Sequence, residues 1–457
     1  MKIINRKSKR GLKMKFIIVG GIAAGMSAAA KLRRLDQEAE ITVYEKQNYV
    51  SFGACGLPYY VGGFFDNPDQ MIVRTPEKFR ETGINVQTEH EVISVDVKAQ
   101  TVKVKNLVTG EVFEDNYDKM MIATGASAII PPITNLELEN VHTMRSLQDG
   151  HILKEKLQRE DIQTVGIIGA GFIGLEAVEA AKKCGKEVAV FQLEDRVLKE
   201  VFDAEMTTYL EDELRVHGVN LQTSTKVVAL KGEKAVTHIV TDKDEVQVDL
   251  VILATGVRPN TAFLKDSGIE MLGNGAIVVD NEGKTSIANI YAAGDCATVP
   301  HLLKETPAYI PLATSANKLG RIVGENLGGN TMIFEGTLGS SCIKVMDIEA
   351  GRTGLSEEEA KGMNLDYKTV CIEDKNQTDY YPGQESIVIK LIYDNTTKVI
   401  LGGQVVGKKD AVQRTNVIAA AIYAKMTTKQ LGMLDLCYAP PFARTWDALN
   451  VAGNVAK

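Results

Sequence analysis

The segment TVGIIGAGFIG, residues 164–174, decides the fold of this chain. Its first part, Thr164–Ile168, is mostly apolar and is typical of a buried strand. A GxGxxG pattern follows, with glycines at Gly169, Gly171 and Gly174. We expect a helix from Leu175 and a further strand at Glu187–Leu193. The three glycines and Glu176, in the first turn of that helix, are candidate cofactor-binding residues. Strand, glycine turn, helix and strand together predict a dinucleotide-binding unit, with the pyrophosphate at the helix N-terminus.

The residue expected to contact the ribose of this dinucleotide is Gln192, 23 positions after Gly169. Glutamine hydrogen-bonds a ribose without repelling a 2′-phosphate. The neighbouring Glu194 and Asp195 favour NADH, whereas Arg196 favours NADPH. We therefore predict that both nucleotides are used, with a modest preference for NADH.

An earlier copy of the same unit begins at the apolar strand Lys15–Val19. The turn carries the cofactor-binding candidates Gly20, Gly21, Ala24 and Gly25, and isoleucine stands at the usual second glycine position. We expect a helix to about Leu35 and a strand at Ile41–Tyr44. Glu45 then follows as a ribose acceptor.

Each copy is followed by a second shared motif, an apolar strand ending in Ala-Thr-Gly. The first lies at 117–126 (YDKMMIATGA) and the second at 249–260 (DLVILATGVRPN), so Thr124, Gly125 and Gly256 join the cofactor-binding candidates. Residues 285–298 (TSIANIYAAGDCAT) bring Gly294 and Asp295 to a turn, where the carboxylate could bind the ribityl hydroxyls of a flavin. This repetition predicts an internal duplication. The fold class is therefore α/β, with two Rossmann-like domains.

Composition and charge limit the function classes. A length of 457 residues suggests about three domains, and a net charge of −7 does not favour a nucleic-acid partner. The six cysteines show no close pairing, so we expect a reducing, cytoplasmic compartment. No apolar run approaches the ~20 residues of a membrane span. We predict no metal among the site residues.

The N-terminus resembles a secretory signal, because a basic segment precedes the apolar run at 16–30. The glycines instead fit a strand, turn and helix, and the pattern continues through the charged 31–36. We prefer that interpretation and expect residues 1–14 to be an extension.

From about Asn330 the pattern changes to an α+β module without a nucleotide motif. We predict strands at 332–346, 367–371, 386–393 and 398–407, and helices at 412–424 and 428–433. The expected role of this module is packing or dimerisation.

A single cysteine, Cys55, lies in the uncharged, glycine-rich stretch VSFGACGLPYYVGG, residues 50–63. In isolation such a cysteine is usually a small buried apolar residue. Here it lies between two nucleotide-binding motifs, so we predict a redox thiol.

With these motifs in order, the chain resembles the FAD-dependent pyridine nucleotide-disulfide oxidoreductases along nearly its whole length. Tyr60 occupies the position where two-cysteine members carry their second redox cysteine, so the resemblance is to the single-cysteine branch, which includes coenzyme A-disulfide reductases and NADH oxidases. The resemblance implies an FAD domain at 15–135 and 256–329, an NAD(P)H domain at 136–255 and a dimerisation domain at 330–457.

Further site residues follow from the resemblance alone. Ser51 matches a substrate-contacting serine, and Ser27, Lys31 and Arg34 match a helix that contacts coenzyme A. Tyr380 and Tyr438 match tyrosines that reach the active site of the partner subunit in a homodimer. Ala54 stands where the well-known coenzyme A reductases carry asparagine, which leaves the substrate open.

The resemblance implies that NAD(P)H reduces FAD, and that FAD reduces a mixed disulfide between Cys55 and coenzyme A. The substrate is then coenzyme A disulfide or a related small persulfide or polysulfide. The first alternative is an NADH oxidase or peroxidase in which Cys55 cycles through a sulfenic acid. The second is a flavin-bound redox sensor.

Overall fold

The computed structural model describes residues 13–457 of the chain. Residues 1–12, most of the predicted extension, lie outside this range. The strands, in chain order, are β1 Lys15–Val19, β2 Glu40–Glu45, β3 Asn85–Thr88, β4 His90–Asp96, β5 Thr101–Asn106, β6 Val112–Asn116, β7 Lys119–Ile122, β8 Ala126–Ala128, β9 Val141–Thr143, β10 Thr164–Ile168, β11 Glu187–Phe191, β12 Val219–Gln222, β13 Val227–Lys231, β14 His238–Thr241, β15 Glu245–Gln247, β16 Leu250–Leu253, β17 Val257–Pro259, β18 Ile290–Ala292, β19 Val299–His301, β20 Lys304–Ala308, β21 Ser341–Val345, β22 Ile348–Gly354, β23 Tyr367–Lys375, β24 Ser386–Asp394 and β25 Ile400–Gly407.

The helices, in the same order, are α1 Ala23–Leu35, α2 Leu57–Val61, α3 Pro76–Arg80, α4 Leu147–Leu157, α5 Phe172–Lys183, α6 Ala204–Val216, α7 Ala313–Leu327, α8 Glu357–Gly362, α9 Ala411–Tyr423, α10 Thr428–Gly432 and α11 Ala448–Val455. Within residues 13–457, none of them combines the length and the apolar character that crossing a lipid bilayer requires.

The first of two structural units comprises the described residues up to Gly53, together with Asp69–Ser127 and Arg258–Gly336. Its main sheet is parallel, in the order β18-β7-β1-β2-β3, and an antiparallel ribbon β4-β5-β6 accompanies it. The apolar strand β1 is buried at the centre of the sheet, as the sequence predicts. Helix α1 packs closely on α7, because Gly320 and Gly324 leave room for the backbone of α1.

The second unit comprises Ala54–Pro68, Ala128–Val257 and Thr337–Lys457. Its parallel sheet has the order β12-β11-β10-β16-β9, and its antiparallel ribbon is β13-β14-β15. Each fingerprint strand lies at the centre of its sheet and is flanked by equivalent strands, β2 and β7 for β1, and β11 and β16 for β10. The predicted duplication is therefore present in the strand order. The finer division into three domains remains a prediction.

The second unit also contains an antiparallel sheet in the order β21-β22-β25-β24-β23. The prediction of one strand over 332–346 is wrong for its first part, because the strand begins at Ser341. The backbone of Met332 bonds to the side-chain amide of Asn326, and the N–H of Phe334 donates to the carbonyl of Asn281. These backbone groups are satisfied outside any sheet.

A buried ion cluster lies in the same unit. The ammonium of Lys390, on β24, is fully buried and contacts Asp203 at 3.0 Å, Glu205 at 2.5 Å and Glu357 at 2.6 Å. Burial alone would lower the pKa of Lys390, but the three carboxylates outweigh it and raise that pKa. The cluster fixes the N-terminal end of α6 and the start of α8 to β24.

Candidate active site

The first nucleotide loop requires glycine at two of its predicted positions. Gly20 has a φ of +105°, and a Cβ there would clash with the carbonyl oxygen of Ala123. A Cβ on Gly25 would clash with the carbonyl oxygen of Gly20. Backbone atoms of the turn and of the start of α1 therefore lie in direct contact, without side chains between them. The N–H groups at the N-terminus of α1 can then bind a pyrophosphate.

Glu45, at the end of β2, supports this loop directly. Its Oε2 accepts a hydrogen bond of 2.7 Å from the N–H of Gly21. Burial raises the pKa of Glu45, while the N–H groups of Gly21 and Gln47 oppose that rise. Gly20, Glu45 and Thr124 line an open cleft. Its position and its acidic side chain fit the ribose of a dinucleotide.

The other predicted residues of the first unit converge on the same loop. Thr124 Oγ1 donates to the carbonyl of Asn260 at 2.7 Å, and the N–H of Asn260 donates to the carbonyl of Gly125 at 2.9 Å. A Cβ on Gly294 would lie 3.2 Å from Cβ of Ala24, which places the Gly294–Asp295 turn beside the start of α1. These residues fit FAD, with Asp295 as the candidate ribityl ligand.

The second nucleotide loop repeats this construction. Gly169 has a φ of +104°, and a Cβ there would clash with the carbonyl oxygen of Ala254. A Cβ on Gly174 would clash with the carbonyl oxygen of Gly169, whereas Gly171 has open space around it, which fits the approach of a pyrophosphate. Gln192 Oε1 accepts 2.8 Å from the N–H of Ala170, as Glu45 accepts from Gly21. Gly256 also has a positive φ, of +103°.

The cations that follow Gln192 in sequence are already paired. Arg196 contacts Glu358 at 2.8 Å and Asp195 at 3.4 Å. Lys199 contacts Glu194 at 2.9 Å and Asp195 at 3.2 Å. The 2′-phosphate of NADPH would have to displace these carboxylates to bind either cation. A modest preference for NADH therefore stays our prediction.

Cys55 lies in a single 3-10 turn, Ala54–Gly56, immediately before α2. Its side chain is exposed, and no disulfide joins the cysteines of the described chain. Cys296 differs, because it is fully buried and burial raises the pKa of its thiol to about 11. Of these two thiols, only Cys55 is accessible to a substrate.

Two groups of the second unit, Tyr59 and Glu176, have raised pKa values, and the sequence predicts no catalytic role for either of them. Burial raises the pKa of Tyr59 to about 12, and the charges of Glu176, Glu179, Cys342 and Cys55 add to that rise. Burial also raises the pKa of Glu176 to about 7, with a further contribution from the charge of Glu179. Glu179 itself bonds to Lys344 at 2.5 Å. The charges of Cys55 and Glu176 therefore both act on the phenol of Tyr59.

The sequence gives only a weak indication that Glu176 is unusual, and none that Glu179 pairs with Lys344. Glu176 is the first charged residue of α5, in an otherwise apolar first turn. Lys344 lies 165 positions away from the glutamate that it contacts. No pattern within α5 therefore predicts the contact between Glu179 and Lys344.

The predicted substrate-contacting residues differ in availability. Ser27 donates to Asn317 at 2.8 Å, and Lys31 contacts Glu325 at 2.6 Å, with each partner of that ion pair only 15% exposed. Arg34 is exposed. Ser51 has a φ of +51°, and its N–H donates to the carbonyl of Gly21 at 2.9 Å. A positive φ at serine is uncommon and frequently marks a functional segment.

Tyr380 and Tyr438, predicted only by resemblance, lie together in the structure. Their hydroxyl oxygens are 3.1 Å apart, although the residues are 58 positions apart in sequence, and both side chains are exposed. The hydrogen bond with Tyr380 raises the pKa of Tyr438. The pair therefore presents two phenols on one exposed patch of the second unit.

Two family models match the chain. One, described as pyridine nucleotide-disulphide oxidoreductase, matches residues 14–318, and the dimerisation domain of the same family matches residues 340–449. Together they cover both nucleotide loops and the antiparallel sheet.

Individual relatives agree with these models. An NAD(P)H coenzyme A polysulfide/persulfide reductase of Pyrococcus horikoshii is 39% identical over 98% of this chain and 99% of its own length. A coenzyme A disulfide reductase of Staphylococcus aureus is 33% identical over 97% of this chain and 100% of its own. The solved water-forming NADH oxidase of Lactobacillus brevis, bound to NADH, is 33% identical and superposes with a TM-score of 0.93 over 97% of this chain and 98% of its own. The chain therefore belongs to the pyridine nucleotide-disulphide oxidoreductase family, and its predicted fold, its enzyme class and its cofactors, FAD with NADH or NADPH, are confirmed.

Proposed function

We propose that this enzyme reduces coenzyme A disulfide, or a related coenzyme A persulfide, through Cys55 as its single redox-active thiol. The observation that carries the proposal is the exposed Cys55 thiol, which lies four residues before Tyr59 and acts by its charge on that phenol, as Glu176 also does. Relatives named for coenzyme A disulfide and coenzyme A persulfide reduction support the substrate class.

The thiolate of Cys55 attacks one sulfur of the substrate disulfide, which forms a mixed disulfide and releases the first coenzyme A thiolate. FAD, when bound, supplies two electrons that originate from NAD(P)H. Two-electron reduction of the mixed disulfide would break its S–S bond, so Cys55 would return as a thiolate and the second coenzyme A thiolate would leave. The balance is one disulfide, one NAD(P)H and one proton consumed, and two thiols and one NAD(P)⁺ formed.

The residues of this chain provide binding and protons for that sequence. Glu176, with a pKa of about 7, can hold a proton or release one near neutral pH, and Tyr59, with a pKa of about 12, remains a hydrogen-bond donor. Of the two cations predicted to contact coenzyme A, Arg34 is exposed and available to a phosphate. Lys31 is paired with Glu325 and would have to leave it first.

We further propose that the enzyme is a homodimer in which Tyr380 and Tyr438 complete the partner's site. The match to a dimerisation domain supports the dimer, and the exposed hydroxyl pair supports the tyrosine role, since phenols can donate to a substrate sulfur. Packing of the interface alone is the alternative role for both side chains. A cytoplasmic location remains a prediction, which cell fractionation would test.

The decisive experiment compares rates with coenzyme A disulfide, peroxide and oxygen under saturating NADH and saturating NADPH. We expect coenzyme A disulfide to give the highest kcat/KM. Cys55→Ser should lose this activity while the bound flavin is still reduced by NAD(P)H, and Cys371→Ser, at another exposed cysteine, should keep it. Normal disulfide turnover in Cys55→Ser would rule out the proposed thiol.

Reduction of oxygen remains the second candidate, because apolar Ala54 precedes the exposed thiol and a relative is an NADH oxidase. A higher kcat/KM with oxygen than with the disulfide, still dependent on Cys55, would establish it in place of the first.

A further inference from the structure

Three side chains that no nucleotide motif uses converge at one end of α6. Glu213 lies on the helix, His217 follows one turn later, and Asp347 lies in the turn between β21 and β22. One ligand atom from each lies within 4.8 Å of the other two. All three residues belong to the second unit.

The distances match a metal-binding arrangement. His217 Nε2 lies 3.1 Å from Glu213 Oε1 and 3.5 Å from Asp347 Oδ2. Zinc binds imidazole nitrogen and carboxylate oxygen at about 2.0 to 2.2 Å, so two ligands of a tetrahedral site lie about 3.4 Å apart. The two observed distances fall on either side of that value.

The two carboxylates of this cluster share one imidazole. A neutral imidazole has a single N–H, so Nε2 can donate well to only one of the two carboxylates. Among residues 13–457, no lysine or arginine forms an ion pair with Glu213 or with Asp347. A divalent cation would neutralise both carboxylates at once.

The surroundings also hold the ligands in position. The backbone N–H of Asp347 donates to Glu213 Oε1 at 2.9 Å, which is the kind of supporting contact that orients metal ligands. The side chain of Glu213 is only 9% exposed, whereas those of His217 and Asp347 are 31% and 65% exposed. The site is therefore anchored on the inside and open to entry and to a water ligand on the outside.

We propose that Glu213, His217 and Asp347 bind a divalent first-row transition metal such as Zn²⁺. The mixed nitrogen and oxygen donors suit this class better than Ca²⁺ or Mg²⁺, which prefer all-oxygen sites. A bound metal joins α6 to the hairpin β21–β22, and its role is structural, since neither nucleotide loop contributes a ligand.

The test uses flavin-loaded protein freed of metal with a chelator and then titrated with Zn²⁺ against a competing chelating dye. The variants are His217→Gln and Asp347→Asn. Asp347→Asn keeps the backbone N–H that holds Glu213, and both are near-isosteric, so folding is expected to survive. His238→Gln, at a histidine on β14 of the same unit, is the matched control.

We expect wild type and His238→Gln to bind one more equivalent of Zn²⁺ than the two site variants, and their melting temperatures to rise with Zn²⁺. In His217→Gln and Asp347→Asn the affinity for that equivalent should fall at least tenfold. Zinc held by the six thiols is common to all four proteins and cancels in the comparison. Equal zinc uptake and equal melting shifts in all four proteins would overturn the proposal and leave an ordinary surface ion pair.

Discussion

Replacing Glu176 with glutamine should change how stability depends on pH. Burial and the charge of Glu179 raise the pKa of Glu176 from 4.5 to about 7. The unfolded chain ionises this carboxyl first, so wild-type stability is fully present below pH 4.5 and is lost progressively as pH rises through 7. Glutamine has the same shape and no ionisation, so its contribution does not vary with pH.

The size of the effect follows from the shift. One pKa unit corresponds to 1.36 kcal/mol, so a rise from 4.5 to about 7 corresponds to roughly 3 kcal/mol in full. Between pH 5 and pH 8, the contribution of Glu176 to the free energy of unfolding falls by most of that amount, about 2 to 3 kcal/mol. Over this range Glu176→Gln should therefore gain that amount of stability relative to wild type.

The assay is urea unfolding of flavin-loaded protein at pH 5 and pH 8, followed by circular dichroism. The free energy of unfolding of the variant is compared with that of wild type at each pH, and the prediction concerns how this difference changes between the two pH values. Absolute free energies are not used, because a protein with two units need not unfold in one step. Glu160→Gln, at an exposed site, is the control and should show no such change. A difference between Glu176→Gln and wild type that is the same at both pH values would show that Glu176 titrates normally, and the burial argument would be refuted.

Three further predictions concern the dimer, the nucleotide and the ion cluster. Tyr438→Phe should keep the flavin spectrum but slow disulfide turnover, and mixing its chains with those of Cys55→Ser should restore part of the activity, since a heterodimer contains one intact site; verified heterodimers without any recovery would exclude a shared site. Gln192→Glu keeps the acceptor for the N–H of Ala170 and adds a charge, so kcat/KM for NADPH should fall at least tenfold relative to that for NADH, whereas an unchanged ratio would show that position 192 does not contact the ribose. Lys390→Met should destabilise the protein by about 3 to 5 kcal/mol in urea unfolding, because three carboxylates lose their buried cation; a loss below 1 kcal/mol would mean that the carboxylates are solvated without it.

Much of the fold could be predicted because its signals are local. The strands Lys15–Val19 and Thr164–Ile168 appear with the predicted bounds, and the glycines after them occupy backbone positions that a Cβ would not fit. The strand predicted over 332–346 is too long, because the side chain of Asn326, at the end of α7, bonds both backbone groups of Met332 and leaves them outside any sheet.

The site was only partly predictable, and the reason is distance along the chain. Glutamates at 176 and 179 are visible in the sequence, but the raised pKa of Glu176 depends on burial that only the folded structure supplies. Asp347 lies 134 positions from the glutamate that its backbone contacts. The tyrosine pair was predicted by resemblance rather than by pattern, because no spacing rule joins residues 380 and 438.

The interrupted course of the first unit has a consequence for biosynthesis. Strands β1, β2, β3 and β7 are all synthesised by Ile122, but β18 and the helix α7 that covers α1 come after the parallel sheet of the second unit. About 200 residues separate Ile122 from the end of α7, which at 5 to 20 residues per second corresponds to roughly 10 to 40 s of translation. During that interval α1 lacks the helix that covers it, so we expect ribosome-bound chains stalled before α7 to be cleaved by protease in α1, and full-length chains to be protected there.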